Sequence, residues 1–404
     1  MKMSYSVAII SSFIGKTPED MAHSFVFDEA YRLAQKGIDV HIIRYKVEKD
    51  SYSYGIKYHG LEKKIDVRAL KFFMRNLSVY PPISLLRKPT LIYHENLYAL
   101  NTYRVIERDG IDLIHAHFAY PEGLVGLLTK RSVGKPFIVT LHGYDVNVSK
   151  KHNYGIRLHP QYNLIVHKVL TNAAHIIVSS RLLYLRALEV GVKKSNISII
   201  SPGVDPNIFK PNLNKTIFRE KYSLGDEPII LTVRGLKPIY NIYEVIKVAK
   251  IVPKSIRLKF VIIGDGELRS QLIKLAGDLI NKRIHFLGRI PHTEIPYAMA
   301  SASLLFDPCP IGQGINVLEA MACAKPVIAI NTRGLWDYVI DGKTGFLVNS
   351  GDTQTIAEKI IYLLQKEEEA KRLGENGRKI VQEKFDINKR IEKIISLYEK
   401  LLSN

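Results

Sequence analysis

In the stretch "GQGINVLEAM", Gly312 and Gly314 stand just before a helix-like run, and Glu319 follows within it. A helix start offers unsatisfied N–H groups and the positive end of the peptide dipole. Glycines let a ligand come close to that backbone. The chemistry suited to such a place is anion binding, for example of a phosphate. Glu319 falls about one turn into the helix, on the face with Ile315. Its two acceptor oxygens match a diol such as a ribose. A phosphate cradle beside a diol acceptor suggests a nucleotide. Glu319 is the only charged residue between Asp307 and Lys325. An unpaired buried carboxylate is costly, so a ligand, water or a neighbouring donor must satisfy it.

Other loops carry weaker signals. "SSFIGKTPED" follows the first apolar run and contains Gly-Lys-Thr, but the position that a P-loop needs as its first glycine holds Ile10. Gly15 can still bring backbone close to a ligand, or simply make a turn. "VIIGDGEL" places Gly264 and Gly266 after a strand and before a helix, part of a dinucleotide fingerprint without its third glycine. "IHAHF" puts His115 and His117 on one face of a strand. Two ligands with no third at suitable spacing favour packed, hydrogen-bonded histidines over a metal site. In "TLHGYD", His142 and Asp145 end another strand, where a histidine can donate or accept near a ligand.

These loops need elements to hold them. Apolar, β-branched runs recur along the chain: "SVAII", "DVHIIRY", "LIHAHF", "PFIVTL", "HIIVSS" and "ISIIS", then "PIILTV", "LKFVIIG", "IHFLG", "SLLFD", "PVIAIN" and "GFLV". Runs apolar throughout predict strands buried on both faces, and their alternation with helix-like stretches predicts α/β units with parallel sheets. For the first helix, Thr17 suits the cap, Pro18 the first turn and Gly37 the end. Met21, Phe25, Ala30, Leu33 and Ala34 supply its apolar stripe. The series restarts after the Pro- and Asn-rich "SPGVDPNIFKPNLNKT". The expected division is therefore a first domain at 1–205, a linker at 206–224, a second domain at 225–385 and a terminal helix at 386–404, amphipathic through Ile387, Ile391, Ile394, Ile395 and Leu401.

Of 404 residues, 46% are hydrophobic, enough for two full cores. No long apolar run reads as a transmembrane helix, and the N-terminus reads as a strand rather than a signal peptide. The only cysteines, Cys309 and Cys323, exclude a disulfide framework, which fits a reducing cytoplasm. The net charge of +19 favours anionic partners or a generally basic solvated surface. Seven basic residues against two acidic ones lie in 61–90, among Phe72, Phe73, Met74, Leu85 and Leu86. Such a segment either docks on anionic lipid or buries its apolar residues with the charges outward. No nucleic-acid motif is present, so nucleic acid is not an expected partner.

The chain resembles retaining glycosyltransferases of the GT-B fold in glycosyltransferase family 4. "DLIHAHFAYPEG", "VTLHGYDV", "SPGVDPNIF", "VIIGDGELR", "IHFLGRIP", "VLEAMACAKPVIA" and "DGKTGFLV" follow one another in that family's order over nearly the whole length. The resemblance implies two Rossmann-like domains facing across a cleft, with the last helix crossing back to the first domain. It implies a nucleotide-sugar donor on the second domain, a glycan, lipid-linked or small-molecule acceptor mainly on the first, no metal and no cofactor. By position, Glu319 would bind ribose hydroxyls. Gly314, Ile315, Asn316 and Val317, with Gly312, would frame the diphosphate and sugar. Arg289 and Ile290 would lie near the base, His142 near the anomeric centre, and Gly15 and Gly266 beside the donor.

Three departures stand out. The family's first glutamate is replaced by Ile311, which accepts no hydrogen bond. Arg234 matches a diphosphate-binding arginine approximately, but the companion lysine position holds Tyr240, leaving Lys237 in the same loop as a substitute. A Gly–Gly pair becomes Arg333–Gly334, and Arg333 is a candidate for the missing cation. The expected function is a retaining, metal-independent transfer from a nucleotide-sugar by a cytoplasmic, membrane-peripheral enzyme. A catalytically altered GT-B binding protein and a GT-B nucleotide-sugar epimerase are the alternatives.

Overall fold

The structure is a computed structural model that describes residues 5–12, 14, 24–45, 48–61, 67–82, 89–311 and 314–403. It divides into unit 1, Met1–Ser201 with Ile391–Asn404, and unit 2, Pro202–Arg390.

Among its described residues, unit 1 is built on eight strands: β1 (Ser6–Ile10), β2 (Asp39–Ile43), β3 (Ser51–Ser53), β4 (Ile56–His59), β5 (Leu113–His117), β6 (Phe137–Thr140), β7 (His175–Val178) and β8 (Ile197–Ile199). They pair in the order β3-β4-β2-β1-β5-β6-β7-β8. Every pairing is parallel except β3 with β4, a hairpin turned by Tyr54 and Gly55 at positive φ. Gly55 takes that conformation without steric cost. The central strands are apolar and buried end to end, because helices cover both faces of a parallel sheet. The order reverses between β1 and β5, where an open α/β sheet leaves room for a ligand beyond the strands' carboxyl ends. The terminal helix, Ile387–Leu402, buries Ile391, Ile394 and Tyr398, and from Ile391 onward it belongs to this unit.

Among its described residues, unit 2 has six strands, all parallel: β9 (Ile229–Val233), β10 (Lys259–Ile263), β11 (Ile284–Gly288), β12 (Leu304–Asp307), β13 (Val327–Ile330) and β14 (Gly345–Val348). Their order, β11-β10-β9-β12-β13-β14, reverses between β9 and β12.

Each of the twelve apolar runs forms a strand. Two expectations change. The stretch 206–224 is packed rather than linker-like: it forms the helix Lys215–Lys221, and Phe209, Phe218 and Leu224 join the unit 2 core. Its Pro and Asn residues disguised those widely spaced anchors. In the first helix, described over Ser24–Gln35, the buried stripe is Val26, Phe27, Ala30 and Leu33, while Phe25 is exposed. The expected cap residues Thr17 and Pro18, with Met21, lie outside the described residues, as do Gly15, Leu85, Leu86 and Gly312.

Candidate active site

The reversal point of unit 2 carries a buried ion pair. Arg234 directly follows β9 and Asp307 ends β12, the neighbouring strand. Arg234 donates from Nε to Asp307 Oδ1 at 2.9 Å and from Nη2 to Oδ2 at 2.7 Å. This two-pronged geometry is the strong form of the contact. Burial alone would lower the Arg234 pKa, but the facing Asp307 carboxylate raises it on balance. Tyr240, at the position expected to hold lysine, lies 5.6 Å from the guanidinium carbon over its ring. An aromatic face and a carboxylate thus replace a second cation beside Arg234.

The helix Ile315–Ala322 begins against this pair. A side chain on Gly314 would collide with Asn316 Oδ1 and crowd Arg234 Nη2, so glycine is what lets the helix start approach. Asn316 donates to the carbonyl of Val233, the last residue of β9, at 3.3 Å. Among the described residues, Asn316 Oδ1 is buried without a hydrogen-bond partner. Ile315 is exposed, Val317 and Leu318 face the core, and Glu319 is only 4% exposed. His292 Nε2 lies 3.5 Å from Glu319 Oε1. That neighbour was not foreseen, although "RIPHTE" places a histidine just after the β11 loop.

The other expected donor residues are placed as follows. Ile290 is in the unit 2 core, so only its backbone is available to a base, while Arg289 beside it is exposed. Lys237 and Arg333 are exposed. Ile311 is half-buried. Gly266 has a packing reason of its own: a Cβ there would sit 2.5 Å from the Leu236 carbonyl oxygen. Gly264, at φ +135°, likewise packs on the Arg234 carbonyl. The "GDG" turn therefore braces the Arg234 loop.

Unit 1 gathers histidines at the ends of β5 and β6. His142, after β6, has Nε2 at 3.0 Å from His117 Nδ1, and its ring packs on Phe25 and Phe118. Asp145, fully buried, accepts from the backbone N–H groups of Ala119 at 3.1 Å, His142 at 3.2 Å and Gly143 at 2.9 Å. These bonds lock the loop that carries His142. Burial pushes the Asp145 carboxyl up to about 6, against the backbone donors that pull it down. Glu29 supplies the neighbour that sequence spacing did not show, with Oε1 at 3.4 Å from His117 Nε2 and 3.8 Å from His115 Nδ1. The three side chains could together hold an ion. His115, however, is engaged at both nitrogens, with Tyr398 Oη at 2.6 Å and Thr140 Oγ1 at 2.7 Å. That is the pattern of a packed histidine.

Residues 22–208 match the description "Glycosyltransferase Family 4", and residues 214–380 match "Glycosyl transferases group 1". A glycosyltransferase of Methanocaldococcus jannaschii, itself uncharacterised, is 34% identical over 310 residues, covering 75% of this chain and 81% of its own. The chain is a family 4 glycosyltransferase. In fold the transferase is similar to a sucrose-phosphate synthase of Thermosynechococcus elongatus, with a TM-score of 0.79, 21% identity and 99% of both chains covered. It is also similar to Anabaena HepE, solved in complex with UDP and glucose, with a TM-score of 0.74, 17% identity, and 98% of this chain and 100% of that one covered. The two sheets, parallel but for the β3–β4 hairpin, are thus the Rossmann-like pair of a GT-B transferase. In this transferase the reversal point of unit 2 brings together Arg234, Gly314, Asn316 and the start of the helix bearing Glu319.

Proposed function

We propose that the enzyme is a retaining, metal-independent glycosyltransferase that takes its sugar from a nucleoside diphosphate donor. The observation that carries this reading is the unit 2 reversal point. There a helix start without a side-chain cap, Asn316 Oδ1, buried without a hydrogen-bond partner among the described residues, and the buried Glu319 carboxylate lie on one short helix. The N–H groups of a helix start suit a diphosphate, and the two oxygen acceptors suit hydroxyls of ribose or sugar. The Anabaena neighbour's complex with UDP and glucose supports the same donor class.

In this reading unit 2 holds the donor and unit 1 presents the acceptor. The acceptor oxygen forms its bond to the anomeric carbon on the face from which the diphosphate leaves. Bond formation on that same face keeps the configuration, and a leaving phosphate oxygen takes the acceptor proton. The protein contributes positioning and charge stabilisation. His142, held by the Asp145 loop and abutting His117, lies beside the anomeric centre in this reading.

An acceptor at a lipid surface fits the helix Val67–Asn76. Its inner face buries Ala69 and Phe72, yet Val67, Leu70 and Met74 remain 73%, 60% and 66% exposed beside Lys71 and Arg75. Apolar residues beside cations suit an anionic membrane. Among the described residues, no helix is long and apolar enough to cross one. Vesicles containing anionic lipid should retain the enzyme and release the Leu70→Ser/Met74→Ser variant; equal retention of both removes this assignment.

The reaction is tested by incubating the enzyme with a panel of nucleotide-sugars and following slow release of nucleoside diphosphate and free sugar. His142→Ala should cut that turnover far more than nucleotide affinity. Nucleotide binding without turnover of any donor would instead favour a binding protein, the reading that Ile311 keeps in play.

A further inference from the structure

We propose that His41, His59 and Asp109 form a binding site for a divalent transition-metal ion, zinc by preference, at the β2–β4 side of unit 1. The site is independent of the donor-binding reading. Its side chains come from three elements. His41 lies within β2, His59 ends β4, and Asp109 ends the helix Pro89–Asp109. The β2–β4 register pairs Ile43 with His59, which sets the two imidazoles diagonally on neighbouring strands.

The distances fit an ion. His41 Nδ1 is 3.0 Å from His59 Nε2, and Asp109 Oδ2 is 3.4 Å from the first and 3.7 Å from the second. A triangle with sides of 3.0, 3.4 and 3.7 Å has its circumcentre about 2.0 Å from each corner, the length of a zinc bond to imidazole nitrogen or carboxylate oxygen. Two imidazoles and one carboxylate are a ligand set that suits zinc and its neighbours in the first transition row.

The outer nitrogens point to the same conclusion. His41 Nε2 lies 3.3 Å from Asp39 Oδ2, and His59 Nδ1 lies 3.0 Å from Asp50 Oδ2. Metal-bound histidines are commonly backed in this way, since an N–H donated outward to a carboxylate leaves the inner nitrogen with its lone pair. With both protons outward, two lone pairs and a carboxylate oxygen converge at the centre, and a cation resolves that repulsion. Around the site, Lys57 is 2.8 Å from Asp39 Oδ2. Arg108 bonds both oxygens of Asp109, at 2.8 and 3.0 Å, and Asp50 at 3.1 Å. Its Nη2 also lies 3.1 Å from His59 Nδ1, with the Asp50 oxygen close to both. Three carboxylates against two cations leave the cluster one negative charge when the imidazoles are neutral. The histidines are buried, while the Asp109 side chain is 23% exposed, so water has a way to a fourth coordination position. An ion here would tie β2, β4 and the helix end together.

The test uses full-length enzyme purified without a histidine tag and stripped with chelator. Zn2+ is titrated calorimetrically against a competing chelator, and unfolding is followed with and without it. The expected result is one equivalent bound and a raised unfolding midpoint, as mass action requires of a ligand specific to the native state. His59→Gln should abolish binding. Asp50→Asn should weaken it by about 10–100-fold. His117→Gln should leave it unchanged. Asp109→Asn, at a partly exposed helix end, should also lose the ion and keeps the test valid if His59→Gln does not fold. The proposal is overturned if Zn2+, Co2+ and Ni2+ all fail to bind, which would leave a shared proton between the imidazoles. It is equally overturned if His117→Gln alone abolishes binding.

Discussion

Replacing Arg234 by alanine tests how the transferase uses the cation at the unit 2 reversal point. The Asp307 side chain is fully buried and receives two charged hydrogen bonds from Arg234, at 2.9 and 2.7 Å. Its other described donor is the backbone N–H of Cys309, at a long 3.4 Å. Arg234→Ala would thus strand a buried carboxylate, which costs about 3–5 kcal/mol. Asp307→Ala should cost less, because the guanidinium is 12% exposed and keeps the Tyr240 ring. The double variant should lose at least about 1–2 kcal/mol less than the two singles summed, since neither charge remains to be stranded. Trp336 is the only tryptophan and lies in unit 2, so its fluorescence in a urea titration reports on the relevant unit. For a unit of this size, the Arg234→Ala loss corresponds to a fall of about 6–20 °C in Tm. The reasoning fails if Arg234→Ala costs under about 1 kcal/mol while nucleoside diphosphate affinity collapses. That outcome would mean the guanidinium serves the donor and owes Asp307 little.

Glu319→Ala should weaken nucleoside diphosphate binding by about 10–150-fold, the value of a charge-assisted hydrogen bond; unchanged affinity by calorimetry contradicts the ribose assignment. Arg333→Ala and Lys237→Ala should each weaken donor binding, and because both residues are exposed, the wild-type affinity should fall as salt rises. Normal affinity in Arg333→Ala ends its role as the replacement cation. Asp145 has a folded-state pKa of about 6, above its ordinary 3.8, so the native state binds this proton more tightly than the unfolded chain. Its contribution to stability is therefore full below about pH 4 and is lost as pH rises through 6, by about 3 kcal/mol. Circular dichroism melts at pH 4 and pH 7 should show Asp145→Asn lacking this part of the pH dependence; an identical slope in both proteins refutes it.

Burial on both faces made the sheets legible: a run such as "SLLFD" or "PVIAIN" has no polar face to hide, and each became a central strand of unit 2. The β3–β4 hairpin escaped notice for the converse reason. It lies at the sheet edge, where Ser51, Tyr52 and Lys57 need not be apolar, and its signal reduces to a Tyr-Gly turn. Motif position also found the glycine before the Glu319 helix. Position could not reveal why it is glycine, because the atoms it must avoid belong to Asn316 and to Arg234, eighty residues upstream. In the same way, nothing near His41 in sequence announces His59 or Asp109. Local patterns reveal elements, whereas ligand sets assembled across strands emerge only with the register.

The pairing of Arg234 with Asp307 changes what the substitutions around the site mean. A lysine at position 240 would add charge beside a guanidinium that is already neutralised; tyrosine instead covers that guanidinium with an aromatic face. The pair then acts as a rigid floor for the helix start at Gly314, and its net charge is zero. In the donor reading, a diphosphate resting there would draw on the backbone N–H groups of the helix and on the exposed Lys237 and Arg333. In that reading phosphate would be held by the fixed dipoles of the helix start together with side-chain cations. In the same reading, isoleucine at 311, which accepts no hydrogen bond, would bear on recognition of the sugar rather than of the nucleotide.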